Sequence, residues 1–176
     1  MVPMLKVFGS WVAAAGMAAM LVPEGAGAQE EIGIARGSTP AAVSLEDLEG
    51  ETVDFADHFG KQPVLLEFWA TWCENCEALQ PQMDAAYAEY GDRVAFFAVA
   101  VGVGQNPRSI ARHLRRHPVP YRLLFDKSGA AVRAFMTPAT SYIVILDADG
   151  TVAYTGIGAQ QDIGAAIEGV LELAGL

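Results

Sequence analysis

Val64-Leu65-Leu66-Glu67-Phe68-Trp69-Ala70-Thr71-Trp72-Cys73-Glu74-Asn75-Cys76 opens as an apolar run and closes on a cysteine pair. The run Val64 to Trp69 follows Pro63 and is continuous rather than alternating, which predicts a central strand buried on both faces. From Glu74 the period changes. Leu79, Met83, Ala86, Tyr87 and Tyr90 recur at three- and four-residue steps until Gly91, predicting a helix over 74–90. The two cysteines therefore fall where a buried strand hands over to a helix.

They are the only two in the chain. Zinc usually takes four tetrahedral ligands, and no second C-x-x-C or nearby His supplies the rest. A structural disulfide across so short a loop gains little from loop closure. A reversible dithiol suits the position best. At a helix N-terminus, unpaired N–H groups and the helix dipole favour a thiolate. Cys73 is thus expected as the exposed attacking sulfur, and Cys76, one turn deeper, as the resolving one.

Outward from this stretch, Val43 and Leu45, then Thr52, Val53 and Phe55, read as short strands around a turn at Glu49-Gly50. Val94 to Val101 is a second buried strand, and Pro107 opens a helix that ends before Pro118. Tyr121 to Phe125 and Ser141 to Leu146 are further strands, separated by a short helix over 130–135. Asp147 to Gly150 turns into Thr151 to Tyr154 as a hairpin, and a helix over 160–173 closes the chain. Strands alternating with helices, then a hairpin and a helix, imply an α/β sandwich around a mixed sheet. No repeat and no second domain is visible.

The N-terminus has a different character. Lys6 is the sole cation of the first 35 residues, Val7 to Val22 is apolar or small apart from Ser10, and Ala26-Gly27-Ala28 follows the break at Pro23. That order describes a secretory signal peptide over 1–28. The alternative is an uncleaved anchor, though the 16 apolar residues fall short of the roughly 20 of a spanning helix. Residues 29–40 are expected as a flexible lead-in, and 41–176 as the folded domain. Lys6 and Glu24 cancel, so the 148 residues after the leader keep the whole chain's net charge of −10. Such acidity excludes a general nucleic-acid binder. With 52% apolar and 18% charged residues the chain is not disordered.

Phe68 to Cys76 resembles the active-site segment of the thioredoxin superfamily. The upstream Gly50, Phe55, Gly60-Lys61 and Val64-Leu65-Leu66 pattern, the export signal and the Asp-Ala-Asp-Gly turn narrow this to the TlpA/ResA-like branch of exported thiol–disulfide oxidoreductases. The resemblance spans about Val43 to Leu173. It implies a thioredoxin-like three-layer sandwich, a mixed central sheet flanked by helices, with an N-terminal β-strand extension. It also implies a periplasmic, monomeric enzyme without cofactor or metal, with a role of the kind found in cytochrome c biogenesis. Electrons would pass from a membrane-embedded thiol donor to protein disulfides.

Within the resemblance, Trp72 and Glu74 belong to the active-site segment, and Glu67 stands where many thioredoxins bury an acid behind the resolving cysteine. A carboxylate in an apolar strand is costly to ionise, and its raised pKa would let it take the Cys76 proton. The alternative is a solvent-facing Glu67 at a strand end. Thr137-Pro138 resembles the family's loop proline, whose cis bond faces the dithiol. The run from Pro138 to Asp147 is longer than usual for the family, which puts that loop's shape in question.

His113 and His117 have metal-binding spacing, but Arg108, Arg112, Arg115 and Arg116 surround them, and a solvated basic face is the expectation. Asp147 to Gly150 lacks the other ligands of a calcium loop and reads as a β-turn. Two functions compete with a protein-disulfide reductase. One is a disulfide-forming oxidase on the same cysteines. The other is a copper metallochaperone, although Met1, Met4, Met17 and Met20 lie in the leader and leave no methionine cluster. Glu74 beside Cys73, with no cation between the cysteines, leans toward reduction.

Overall fold

A computed structural model describes Met1 and residues 32–175 of the chain, so the expected leader, Met1 apart, lies outside the described residues. The elements are β1 (Ser44–Asp47), β2 (Thr52–Asp54), a 3₁₀ turn (Phe55–His58), β3 (Val64–Trp69), α1 (Glu74–Tyr90) and β4 (Ala95–Val101). They continue as α2 (Pro107–Leu114), β5 (Arg122–Asp126), α3 (Ala130–Ala134), β6 (Tyr142–Leu146), β7 (Val152–Ile157) and α4 (Ile163–Ala174). One seven-stranded sheet has the order β2-β1-β5-β4-β3-β6-β7. β3 pairs in parallel with β4 and antiparallel with β6, so the sheet is mixed.

β3 lies at the centre of the core, and all six of its residues are buried. Its side chains alternate between two layers. Phe68 packs on Phe135 and Tyr142, and Phe55 on Phe97 and Phe135, so the 3₁₀ turn and the α3 end cover one face. On the other face Tyr87 of α1 meets Phe96, while Tyr90 of α1 donates to Glu168 of α4 at 2.9 Å. The result is the three-layer thioredoxin-like sandwich expected from the sequence.

The helix ends follow local chemistry. Asn106 and Ser109 form a reciprocal capping box with Pro107 in the first turn of α2. Gly129 offers α3 no side-chain cap, and the buried Asp126 replaces it by accepting from the Ala130 and Val132 N–H groups at 2.7 and 2.9 Å. In the β6–β7 connection the Asp147 side chain accepts from the N–H groups of Asp149 and Thr151, and Gly150 turns at φ +83. This is the expected β-turn.

The segment expected as a flexible lead-in packs on the domain from Ile32 onward. Ile34 is buried, and its N–H donates to the Tyr142 hydroxyl, which donates in turn to the Ile32 carbonyl. Gly37 N–H bonds the Val152 carbonyl, and Val152 N–H the Ser38 carbonyl, extending the pairing at β7. A polar composition hid this seat because a single apolar side chain, Ile34, anchors it.

Candidate active site

The dithiol lies at the carboxyl end of β3, the side of an open α/β sheet where ligands bind. Cys73 is the N-cap of α1, and its Sγ accepts from the Cys76 N–H at 3.1 Å. The two sulfurs form a disulfide with Cα atoms 5.3 Å apart. Cys73 is 9% exposed and Cys76 0%, so the difference has the expected sign although Cys73 is itself nearly covered.

Gln105 holds the approach to the pair. Its Oε1 accepts from Thr71 N–H at 2.9 Å, and its Nε2 donates to the Val101 carbonyl at 2.6 Å. One side chain thus ties the β3–α1 turn to the end of β4. Trp72 is half exposed, and its indole N–H donates to the Val103 carbonyl at 3.0 Å. Gly104, at φ +67, lies so close that a Cβ there would sit 3.2 Å from Trp72 Nε1.

Beside Cys73 opens a cleft of about 460 Å³. Glu74, Glu77 and Asp84 of α1 border it, with His113 and His117 across from them. His113 departs from the solvated face expected for it. The helical period places it on the side of Ile110 and Leu114, where its ring meets Trp69 edge-on at 5.3 Å and stacks on His117 at 4.6 Å. Burial, with repulsion from His117 and Arg116, pushes its pKa down against the pull of Glu77. Arg108, Arg112, Arg115 and Arg116 stay exposed as expected.

Glu67 is completely buried, not solvent-facing. Burial raises its pKa to about 7, with the Asp84 charge adding to the rise and a hydrogen bond from Tyr121 opposing it. The Tyr121 hydroxyl reaches Oε2 at 3.2 Å, while Oε1 has no hydrogen-bond partner.

Thr137-Pro138 departs from expectation: among the described residues no peptide bond is cis. Trans is the lower-energy state even before proline. The chain instead reverses through Met136 and Ser141, at φ 48 and 63. Ser141 N–H donates to the Phe68 carbonyl at 2.8 Å, tying the loop to β3. Pro138 is exposed, and neither it nor Thr137 lines the cleft beside Cys73.

A family model described as Redoxin matches residues 35–171. The thioredoxin-like protein YneN of Bacillus subtilis is 33% identical over 132 residues, covering 74% of this chain and 76% of its own. The thiol-disulfide oxidoreductase ResA of Geobacillus thermodenitrificans is 29% identical over 143 residues, covering 80% and 81%. Among solved structures, a putative thiol:disulfide interchange protein DsbE from Chlorobium tepidum superposes with a TM-score of 0.69 at 23% identity, covering 80% of this chain and 98% of that one. At that identity it supports the thioredoxin-like fold alone.

Proposed function

The chain belongs to the Redoxin family as a thiol–disulfide oxidoreductase, and on that footing we propose that it is an exported, monomeric reductase of protein disulfides. The observation that carries the direction is the charge around Cys73. Glu74, Glu77 and Asp84 border the cleft, no Lys or Arg lines it, and the lowered pKa of His113 keeps that ring neutral near pH 7. A thiolate there gains little beyond the helix N-terminus, and a weakly stabilised thiolate favours the reducing end of the scale.

In the reaction, the Cys73 thiolate attacks one sulfur of a client disulfide, and the other client sulfur leaves as a thiolate. Glu67 accepts the Cys76 proton. The Cys76 thiolate then attacks Cys73 Sγ, releasing the second client thiolate and forming the Cys73–Cys76 disulfide. Two electrons pass to the client, and a membrane-embedded thiol donor restores the dithiol. The N-terminal pattern of residues 1–28 supports a periplasmic location, with an uncleaved anchor as the other way of placing the domain there.

Trapping tests the cycle. A Cys76→Ser variant should accumulate mixed disulfides with client proteins through Cys73, whereas Cys73→Ser should accumulate none. Equal trapping by both variants would overturn the division of roles.

A further inference from the structure

We propose that Tyr121 is a positioning residue for the dithiol reaction: its hydroxyl, oriented by Gln80 and Asp84, holds Glu67 Oε2 and leaves Oε1 free as the proton acceptor. The proposal rests on the reading of Glu67 as the base for Cys76.

The orientation follows from donor and acceptor chemistry. Asp84 is exposed on α1, and as a carboxylate it can only accept. Gln80 must therefore turn its NH₂ toward it, which it does with Nε2 at 2.7 Å from Asp84 Oδ1. The same nitrogen lies 3.2 Å from the Tyr121 hydroxyl oxygen and can donate its second N–H there. With that lone pair engaged, the hydroxyl proton is left for Glu67 Oε2 at 3.2 Å. Gln80 thus donates to both Asp84 and Tyr121, and the Tyr121 hydroxyl donates in turn to the buried carboxylate. The ring of Tyr121 is fixed by packing on Tyr87 and Phe96, with centroids 5.7 and 5.9 Å away.

Among the described residues nothing else supports the charge on Glu67. Its neighbours in the sheet, Ala98 and Ile143, carry no charge. From α1 the Asp84 charge reaches Glu67 and opposes a second negative charge, while Gln80 and the Tyr87 ring meet Tyr121. His113 of α2 is engaged with Trp69, and Glu168 of α4 with Tyr90. Loss of the Tyr121 hydroxyl therefore leaves both carboxyl oxygens without a partner, and the proton holds to Glu67 up to a higher pH.

Tyr121→Phe removes only that oxygen and keeps the ring stack. Two measurements report its effect. Carboxyl carbon NMR of the oxidised protein follows the titration of Glu67. Stopped-flow mixing of the reduced protein with one equivalent of 5,5′-dithiobis(2-nitrobenzoate) releases one nitrothiobenzoate as Cys73 attacks and a second as Cys76 resolves. Tyr121→Phe should raise the Glu67 midpoint by about one pH unit, as expected for losing a hydrogen bond to a charge. The second phase should slow up to about tenfold below the midpoint and converge with the parent's above it, while the first phase is unchanged. Uniform slowing at every pH would reduce Tyr121 to a structural role. An unmoved Glu67 midpoint, alongside a slowed second phase in Glu67→Gln, would overturn the part assigned to Tyr121 alone. A second phase in Glu67→Gln equal to the parent's would instead overturn the acceptor role of Glu67.

Discussion

Cys73 caps the helix that carries Cys76: its Sγ accepts from the Cys76 backbone N–H at 3.1 Å. In the reduced protein that N–H and the positive end of α1 favour negative charge on Cys73. Cys76 is fully buried, where the charged form of a thiol is disfavoured. Brief, limiting iodoacetamide at neutral pH should therefore alkylate Cys73 first, read by mapping the modified peptide. Preferential labelling of Cys76 would contradict this assignment.

The acidic rim sets the second expectation. Equilibrated against glutathione, the Cys73–Cys76 couple should lie nearer the roughly −270 mV of thioredoxin than the roughly −120 mV of a strong oxidant such as DsbA. A value above about −180 mV, that of protein disulfide isomerase, would turn the reading toward an oxidase on the same cysteines.

Gln105 supplies a third. Truncation to Ala leaves the Thr71 N–H and the Val101 carbonyl without their partner. Each buried group left unpaired costs about 1–3 kcal/mol, and Gln105 is itself buried, so the oxidised protein should lose roughly that much in urea denaturation. A loss below about 0.5 kcal/mol, the range of ordinary surface substitutions, would mean that the turn does not depend on it.

How much of this was legible beforehand depended on the range of each interaction. The unbroken apolar run Val64 to Trp69 and the periodic run Glu74 to Tyr90 gave strand and helix with their observed boundaries, because each pattern is local. The pair spacing placed the dithiol for the same reason. Gln105 and Tyr121 left no such trace, since their partners Thr71 and Glu67 lie 34 and 54 residues away. His113 was hidden by its arginine neighbours, which stay exposed in and just after its helix while its ring meets Trp69. The conformation expected for the Thr137-Pro138 bond follows from resemblance and not from local pattern, and this loop turns instead on its own left-handed residues, Met136 and Ser141.

Burial of Glu67 gives the last expectation, and its sign can be worked out. Its folded pKa of about 7 lies above the ordinary value of 4.5, so the native state prefers the protonated carboxyl. Ionisation is then a penalty on the fold. It is absent below the unfolded pKa, grows as pH rises through the window between the two values, and saturates above the folded one. Each unit of separation corresponds to about 1.4 kcal/mol, so the full penalty is on the order of 3 kcal/mol. Glu67→Gln keeps the volume and cannot ionise. Its stability relative to the parent should therefore rise between about pH 4.5 and 7 by roughly that amount and stay level above. Denaturation of both proteins in the oxidised state, where neither cysteine titrates, isolates the carboxyl. Parallel stability curves across that window would show that Glu67 ionises in the fold as readily as in water.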